Sequence, residues 1–287
     1  MAKDCRLLKA KDCRERALHV YLKKLGFEHE KVASSYNNLG LVHCQLGDLK
    51  QAKDFHERAL DVYMKDLGPE HADVAKSYNN LGLVHRQLGD LKQAKYCQER
   101  ALDVYLKKLG HEHINVAASC NYLGFVHSQL GDLWQARDFY GRPLDVYKKR
   151  HGPKHVDVAA SYKYLGLVHR QLADLKQAKD CHKRALDVYL KELGLDHVDV
   201  ATSYHALGLV NRRLGDLNQA KCCHERALSV YLETIGPEHL DVAASYNNLG
   251  FVHRQLANLM QAKSFYKQAL AVYMKNFRPE HVYVATC

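Results

Sequence analysis

A repeat of 42 residues is the feature that most constrains this chain. The fifteen residues from Leu81 to Lys95 differ from those from Leu165 to Lys179 only by Ala173. The pair Leu-Gly recurs with the same spacing six times, at Leu39-Gly40, Leu81-Gly82, Leu123-Gly124, Leu165-Gly166, Leu207-Gly208 and Leu249-Gly250. A period of this length indicates a repeat array in which each unit packs on its neighbours. In 287 residues the repeat leaves no room for a separate catalytic domain.

Each unit predicts two helices. In the second copy, residues 71–88 carry apolar side chains at spacings of three and four, which is typical of an amphipathic helix. These side chains are Val74, Tyr78, Leu81, Val84 and Leu88. An acidic residue near the start of this helix, present in most copies, interacts favourably with the helix dipole. Gly89 supplies the helix stop, and a second helix is expected to run to about Leu109.

The turn between the two helices carries a capping signal. Asp90 precedes the second helix and Gln93 follows three residues later, so the Asp side chain is expected to accept from the Gln amide. The same spacing recurs at Asp48/Gln51, Asp132/Gln135, Asp174/Gln177, Asp216/Gln219 and Asn258/Gln261.

The glycine of each Leu-Gly pair lies inside the first helix, where Gly costs roughly 1 kcal/mol relative to Ala. Its recurrence predicts a close approach of the neighbouring helix at a point where a Cβ would not fit.

The pattern Tyr78, Leu81-Gly82, Ala94 and Ala101 resembles the tetratricopeptide repeat, with small residues where its two helices cross. The usual unit has about 34 residues, and the longer unit here is similar to the repeats of kinesin light chains and nephrocystins. The resemblance implies an all-α fold, a right-handed α-α superhelix (solenoid) of about 6.5 tetratricopeptide-type helix-turn-helix repeats. One departure is His where the family usually has an aromatic residue late in the first helix, at His43, His85, His127, His169 and His253.

We expect a single array over residues 1–287. Its parts are a half repeat 1–27, full repeats 28–69, 70–111, 112–153, 154–195, 196–237 and 238–279, and the start of a further repeat at 280–287. Residues 7–25 resemble a second helix without its partner, and terminal repeats normally need polar caps. The chain is therefore expected to be a fragment of a longer array or to self-associate through its ends.

Composition favours a folded cytoplasmic protein. Apolar residues make up 47% of the chain, yet the longest wholly apolar run is six residues, Ala269 to Met274, too short to span a membrane. The N-terminus has no apolar segment typical of a secretory signal. Nine cysteines without such a signal favour a reducing compartment.

Histidine and cysteine are abundant, but their phases favour packing roles. Seven of nineteen histidines share one phase: His29, His71, His113, His155, His197, His239 and His281. Equivalent positions on stacked helices lie about 8–10 Å apart, too far to share one metal ion. Cys97, Cys181 and Cys223 alternate with phenylalanine in other copies. Cys120 replaces the tyrosine found at Tyr36, Tyr78, Tyr162, Tyr204 and Tyr246.

No catalytic motif stands outside the repeat. Phosphate-binding glycine loops, nucleophile elbows and His-Glu-x-x-His pairs are absent from the sequence. We therefore predict no enzyme activity, no cofactor and no metal site.

Pro143 breaks the pattern of the second helix, because the other copies carry Ala at this phase. A proline inside a helix removes a hydrogen bond. The sequence predicts a kink or break in the helix of residues 134–150, either as a hinge or as tolerated drift.

Polar residues at two phases of the first helix predict a binding groove on the concave side of the array. The first phase and its neighbour carry mostly Asn, which can hold an extended peptide backbone. Arginines that fork onto carboxylates follow two turns later. The candidate peptide-binding residues are Asn37, Asn38, Asn79, Asn80, Arg86, Asn121, Lys163, Arg170, Arg212, Arg213, Asn247, Asn248 and Arg254.

The formal net charge of +10 agrees with acidic partners. The leading hypothesis is a non-enzymatic scaffold or adaptor, cargo-adaptor-like, that binds acidic peptide segments of other proteins. In the resembling families, Asn and basic residues at matching groove positions contact partner peptides. The alternatives are a basic solenoid that binds RNA or single-stranded nucleic acid, and a polar face that is merely solvated. Against nucleic acid, basic residues such as Lys65, Lys107 and Lys191 are spread over second-helix ends.

Overall fold

Helices account for all regular structure in residues 2–277, the part of the chain that the computed structural model describes. This part has thirteen helices and no strand. Their bounds are α1 (Ala2–Leu25), α2 (Glu30–Leu46), α3 (Leu49–Asp66), α4 (Ala72–Gln87), α5 (Leu91–Leu109), α6 (Ile114–Gln129), α7 (Leu133–His151), α8 (Val156–Gln171), α9 (Leu175–Leu193), α10 (Val198–Arg213), α11 (Leu217–Thr234), α12 (Leu240–Gln255) and α13 (Leu259–Asn276). The even-numbered helices are the predicted first helices, and the odd-numbered helices from α3 onward are the second helices.

Packing proceeds from each helix to the next one in the chain. Two compact units are present, Met1–Val146 and Tyr147–Cys287. In the first unit, α2 packs on α3 and α4 on α5, while α1, α3 and α5 contact the first helix that follows each of them. In the second unit, α8, α10 and α12 pack on α9, α11 and α13 in the same way. The fold class is thus confirmed as an all-α solenoid of about 6.5 repeats. The predicted start of another repeat, 280–287, lies outside the described residues.

Side-chain caps set the start of the helices. The predicted Asp caps are confirmed: Asp90 Oδ1 accepts from the amide of Gln93 at 3.1 Å, and Asp48, Asp132, Asp174 and Asp216 do the same. Asn258 makes no such bond.

Histidine caps the first helices, a role that sequence reasoning missed because histidine is not a usual N-cap residue. The Nδ1 atom of His71 accepts from the amide of Asp73 at 3.3 Å. Equivalent bonds are made by His29, His113, His155, His197 and His239.

Contact between the Leu-Gly glycine and one large side chain of the following helix fixes each hairpin. A Cβ built on Gly208 would lie 2.5 Å from the His224 ring, and one on Gly124 would lie 2.8 Å from Tyr140. The same relation joins Gly40 to His56, Gly82 to Gln98, Gly166 to His182 and Gly250 to Tyr266. The predicted close approach is confirmed, and the group that requires glycine is a side chain sixteen residues later.

The predicted packing roles hold for the histidines late in the first helix, the cysteines and the tyrosines, whereas the histidines of the other phase cap helices. His127 stacks on Phe139 with ring centroids 5.2 Å apart, and His253 lies 5.3 Å from Phe265. Cys97 is buried in the core cluster of the first unit together with Tyr78 and Tyr105. These residues fill the core of the hairpins.

Helix α7 continues through Pro143, so the predicted break is wrong. Proline has a backbone φ that suits a helix and removes only one hydrogen bond. The remaining helical bonds and the burial of Pro143 keep the segment helical. A kink remains a prediction.

The glycine contact yields a direct stability test. We predict that Gly208→Ala lowers the free energy of unfolding by up to about 2 kcal/mol, because overpacking costs roughly 1–3 kcal/mol and the helix-propensity gain offsets about 1 kcal/mol of it. Gly141→Ala is the control, since nothing lies within 4 Å of its added Cβ, and it should gain about 1 kcal/mol. Urea denaturation measures both, and equal shifts in the two variants would contradict the packing role.

Three of the large side chains are buried histidines. Burial lowers the pKa of His56 and of His182 to about 4, and nearby Arg170 acts in the same direction on His182. Burial lowers the pKa of His224 to about 3, assisted by His205 and Arg212. The hairpins therefore hold these rings neutral.

These histidines predict acid sensitivity. A folded-state pKa below the unfolded value of about 6.5 means that their stabilising contribution is complete above pH 6.5 and declines as pH falls toward 4. We predict that His224→Gln, which copies Gln98 of the second repeat, reduces the fall in melting temperature between pH 7 and pH 4.5. Parallel melting curves for variant and wild type over this interval would refute the effect.

Candidate functional site

Four arginines of the second unit form a cluster on the first helices. We call Arg170 of α8, Arg212 and Arg213 of α10, and Arg254 of α12 the arginine cluster. Arg213 Nη1 donates to the backbone carbonyl of Arg170 at 2.7 Å, which joins α8 to α10. The charges of Arg213 and Arg212 also act on the guanidinium of Arg170.

Phe251 of α12 contacts two arginines of the cluster, one on α10 and one on its own helix. The guanidinium carbons of Arg212 and Arg254 lie 4.4 and 4.6 Å from the centroid of its ring. Such distances are typical of cation–π contacts, which hold a planar guanidinium against a ring face. Phe251 therefore positions two of the four cations.

The positive charges of the cluster repel one another. Partial burial lowers the pKa of Arg170, and the charges of Arg213 and Arg212 lower it further. The pKa of Arg212 is lowered by burial and by Arg213. The guanidinium groups keep their charge because the ordinary arginine pKa is far above neutrality. An approaching anion would relieve this repulsion.

None of the four arginines forms an ion pair within residues 2–277. Two lysines of the unit are paired: Lys163 Nζ lies 3.0 Å from Asp199 Oδ1, and Lys179 Nζ lies 3.9 Å from Asp216 Oδ2. The buried Nε atoms of Arg170 and Arg212 also have no acceptor in the described part of the chain. The cluster thus has unused capacity to bind carboxylates.

A smaller version of the site occurs in the first unit. The guanidinium carbon of Arg86 on α4 lies 4.9 Å from the ring centroid of Phe125 on α6. The aromatic residues Phe125 and Phe251 were not among the predicted site residues. The sequence did carry a sign of their role, because both phenylalanines replace a leucine at this phase. The other copies have Leu41, Leu83, Leu167 and Leu209.

The predicted exposure of the Asn positions is wrong for two residues. Asn37 is buried: its Nδ2 donates to Ser77 Oγ at 2.9 Å, and its Oδ1 lies 2.8 Å from His56 Nδ1. Asn80 is buried as well. Asn37 serves to join two neighbouring first helices, because its amide satisfies both a hydroxyl and a buried imidazole.

The other predicted Asn residues remain at least partly accessible. Asn38 is exposed, and its carbonyl accepts from Arg14. Asn248 donates to the carbonyl of Ala244. Asn79, Asn121 and Asn247 are half-buried. Because Asn37 and Asn80 are buried, the Asn side chains do not form an unbroken ladder.

A separate group in the second unit consists of His151, His155 and Asp157, whose ligand atoms all lie within 4.8 Å of one another. Both imidazole Nδ1 atoms lie 3.2 Å from Asp157 Oδ2. His155 Nδ1 already accepts the capping amide of Asp157, so metal binding through it would compete with the helix cap. We interpret this group as a hydrogen-bonded cluster at the start of α8.

Within residues 2–277, no helix is both long enough and apolar enough to cross a membrane.

Comparison with known proteins gives one family. The family model described as tetratricopeptide repeat matches six overlapping stretches: 2–65, 31–107, 73–149, 123–191, 157–233 and 199–275. A comparison with curated proteins gave no match.

Solved structures share the fold at low sequence identity. BtubC (BKLC) from P. vanneervenii is 19% identical with a TM-score of 0.65, covering 83% of this chain and 94% of that one. The nearly identical TPR-like repeats of a Podosopora anserina protein assigned to the kinesin light chains are 20% identical, with a TM-score of 0.62, covering 73% and 99%. The Cut9–Hcn1 hetero-tetramer of the APC/C gives 13% identity and a TM-score of 0.65, covering 96% and 45%.

Proteins built from this repeat are generally non-catalytic scaffolds for interactions between proteins, in agreement with the paired helices and the accessible arginines described above. The chain belongs to the tetratricopeptide repeat family, and its fold is similar to that of the kinesin light chain-like structure above.

Proposed function

We propose that this protein is an adaptor that binds acidic peptide segments of partner proteins through the arginine cluster. The observation that carries the proposal is the cluster's lack of any acidic partner within the described residues, although nearby lysines are paired. A carboxylate-bearing segment laid across α8, α10 and α12 would receive forked hydrogen bonds and reduce the mutual repulsion of the arginines. Cargo binding of the kinesin light chain kind fits this chemistry.

Peptide is favoured over nucleic acid by the pairing of the other basic residues. Lysines at second-helix ends contact acids of the same unit: Lys65 with Glu28, Lys107 with Glu70 and Asp103, and Lys275 with Glu238. These lysines do not add to one continuous basic surface of the kind that tracks a phosphate backbone. The four arginines of the cluster, by contrast, have no acidic partner in the described part of the chain.

Charge reversal tests the proposal. We predict that Arg170→Glu with Arg212→Glu weakens binding of a fluorescein-labelled peptide of alternating Glu and Leu at least tenfold at low salt, with a smaller difference at high salt. Fluorescence anisotropy of the full chain measures the affinity.

The control changes the same net charge on another face. Lys176→Glu with Lys183→Glu alters two exposed residues of α9 and should leave the affinity within about twofold. Equal loss in both double variants would indicate general charge attraction and reject the site. Tighter binding of a single-stranded oligonucleotide than of the peptide, with a steep salt slope, would favour the nucleic-acid alternative.

A further inference from the structure

One cavity in the first unit is mostly apolar. The equivalent positions two repeats later, Leu186, Tyr204 and Arg226, line a more polar pocket. The apolar cavity has a volume of about 300 Å³ and lies between α5, α6 and α7. Its walls include Leu102 and Leu106 of α5, Cys120 of α6, and Arg142, Pro143 and Val146 of α7. The volume is at the lower end of small-molecule sites, which span roughly 300–1,000 Å³.

The cavity coincides with a large-to-small replacement. Cys120 occupies the phase that holds Tyr36, Tyr78, Tyr162, Tyr204 and Tyr246 in the other full repeats. Described members of this set, such as Tyr162 and Tyr204, have buried rings. Cys120 is itself buried at 2% exposure, so the position lies inside the hairpin while the ring is missing.

The partner of the missing ring is still present. Twenty-two residues after the tyrosine, other repeats carry an arginine that contacts it. Arg184 Nη1 donates to the Tyr162 hydroxyl at 3.2 Å, and Arg226 Nη1 donates to the Tyr204 hydroxyl at 3.1 Å. Arg142 is the equivalent residue of the third repeat, and it lines the cavity beside Cys120.

Arg142 contacts a ring of its own helix where other repeats have an arginine on a tyrosine hydroxyl. Its guanidinium carbon lies 4.7 Å from the ring centroid of Phe139 on its own helix. Burial raises the pKa of the Cys120 thiol to about 11, and Arg142 opposes this rise. The thiol is therefore protonated near neutrality and offers an apolar, unreactive floor. The cavity thus combines mostly apolar walls with the cation of Arg142, while His111 and Glu112 of the α5–α6 turn also line it.

We propose that this cavity binds a phenol, a p-hydroxyphenyl group that takes the place of the missing tyrosine side chain, with its hydroxyl accepting from Arg142. Apolar cavities left by the loss of a large side chain can bind small aromatic molecules of matching size. Here the same repeat, copied in the same chain, gives the shape of the group that fits. The source of the phenol is either a free small molecule or a tyrosine of a partner chain.

Isothermal titration calorimetry of the full chain with p-cresol tests the proposal. We expect saturable binding at one site. Cys120→Tyr should weaken binding at least tenfold and raise the melting temperature, which also shows that the variant folds. Arg142→Met should reduce the preference for p-cresol over toluene several-fold, because toluene has no hydroxyl. Absence of saturable binding, or binding unchanged in Cys120→Tyr, would overturn the proposal.

A gain-of-site variant provides a matched control. Tyr204→Cys recreates the same change beside Arg226, and it should raise the stoichiometry of p-cresol from one to two. An unchanged stoichiometry in a folded variant would count against a cavity defined by the lost ring. N-acetyl-tyrosinamide separates the sources: affinity equal to or above that of p-cresol indicates a tyrosine of a partner chain, whereas binding of p-cresol alone indicates a free phenol.

Discussion

Contact between a glycine of the first helix and a large side chain of the second is the interaction on which each hairpin depends. It brings the helices together where Gly208 faces His224 and Gly124 faces Tyr140. Side chains on the opposite side of the first helix are then held in a fixed direction. Because every repeat uses the same contact at the same phase, arginines from successive first helices of the second unit meet at Arg170 and Arg213.

The sequence was sufficient to predict features that recur in every repeat. It was insufficient for features that depend on contacts with one particular neighbouring residue. Period, helix pairs, Asp caps and the glycine contact follow from signals copied six times. The burial of Asn37 does not, because it depends on Ser77 and His56 of particular neighbouring elements. A kink or break was predicted at Pro143, and α7 continues through this residue as one helix. The histidine caps were missed because histidine is not a usual N-cap residue.

Deviations from the repeat carry most of the functional information. Phe251 in place of leucine provides a ring for Arg212 and Arg254. Cys120 in place of tyrosine opens a cavity beside Arg142. The array can tolerate such changes because each hairpin is stabilised mainly by its own contacts and those of its neighbours. A single repeat can therefore gain a binding property without loss of the fold.

The central claim is that acidic segments bind on the first helices of the second unit. Site-specific photo-crosslinking to the acidic peptide tests it most directly, with the photoreactive residue at Leu209, one turn before Arg212 and Arg213, or at Lys176 on α9. We predict an adduct from position 209 that high salt suppresses, and little adduct from position 176. Strong crosslinking from position 176 with none from position 209 would contradict it.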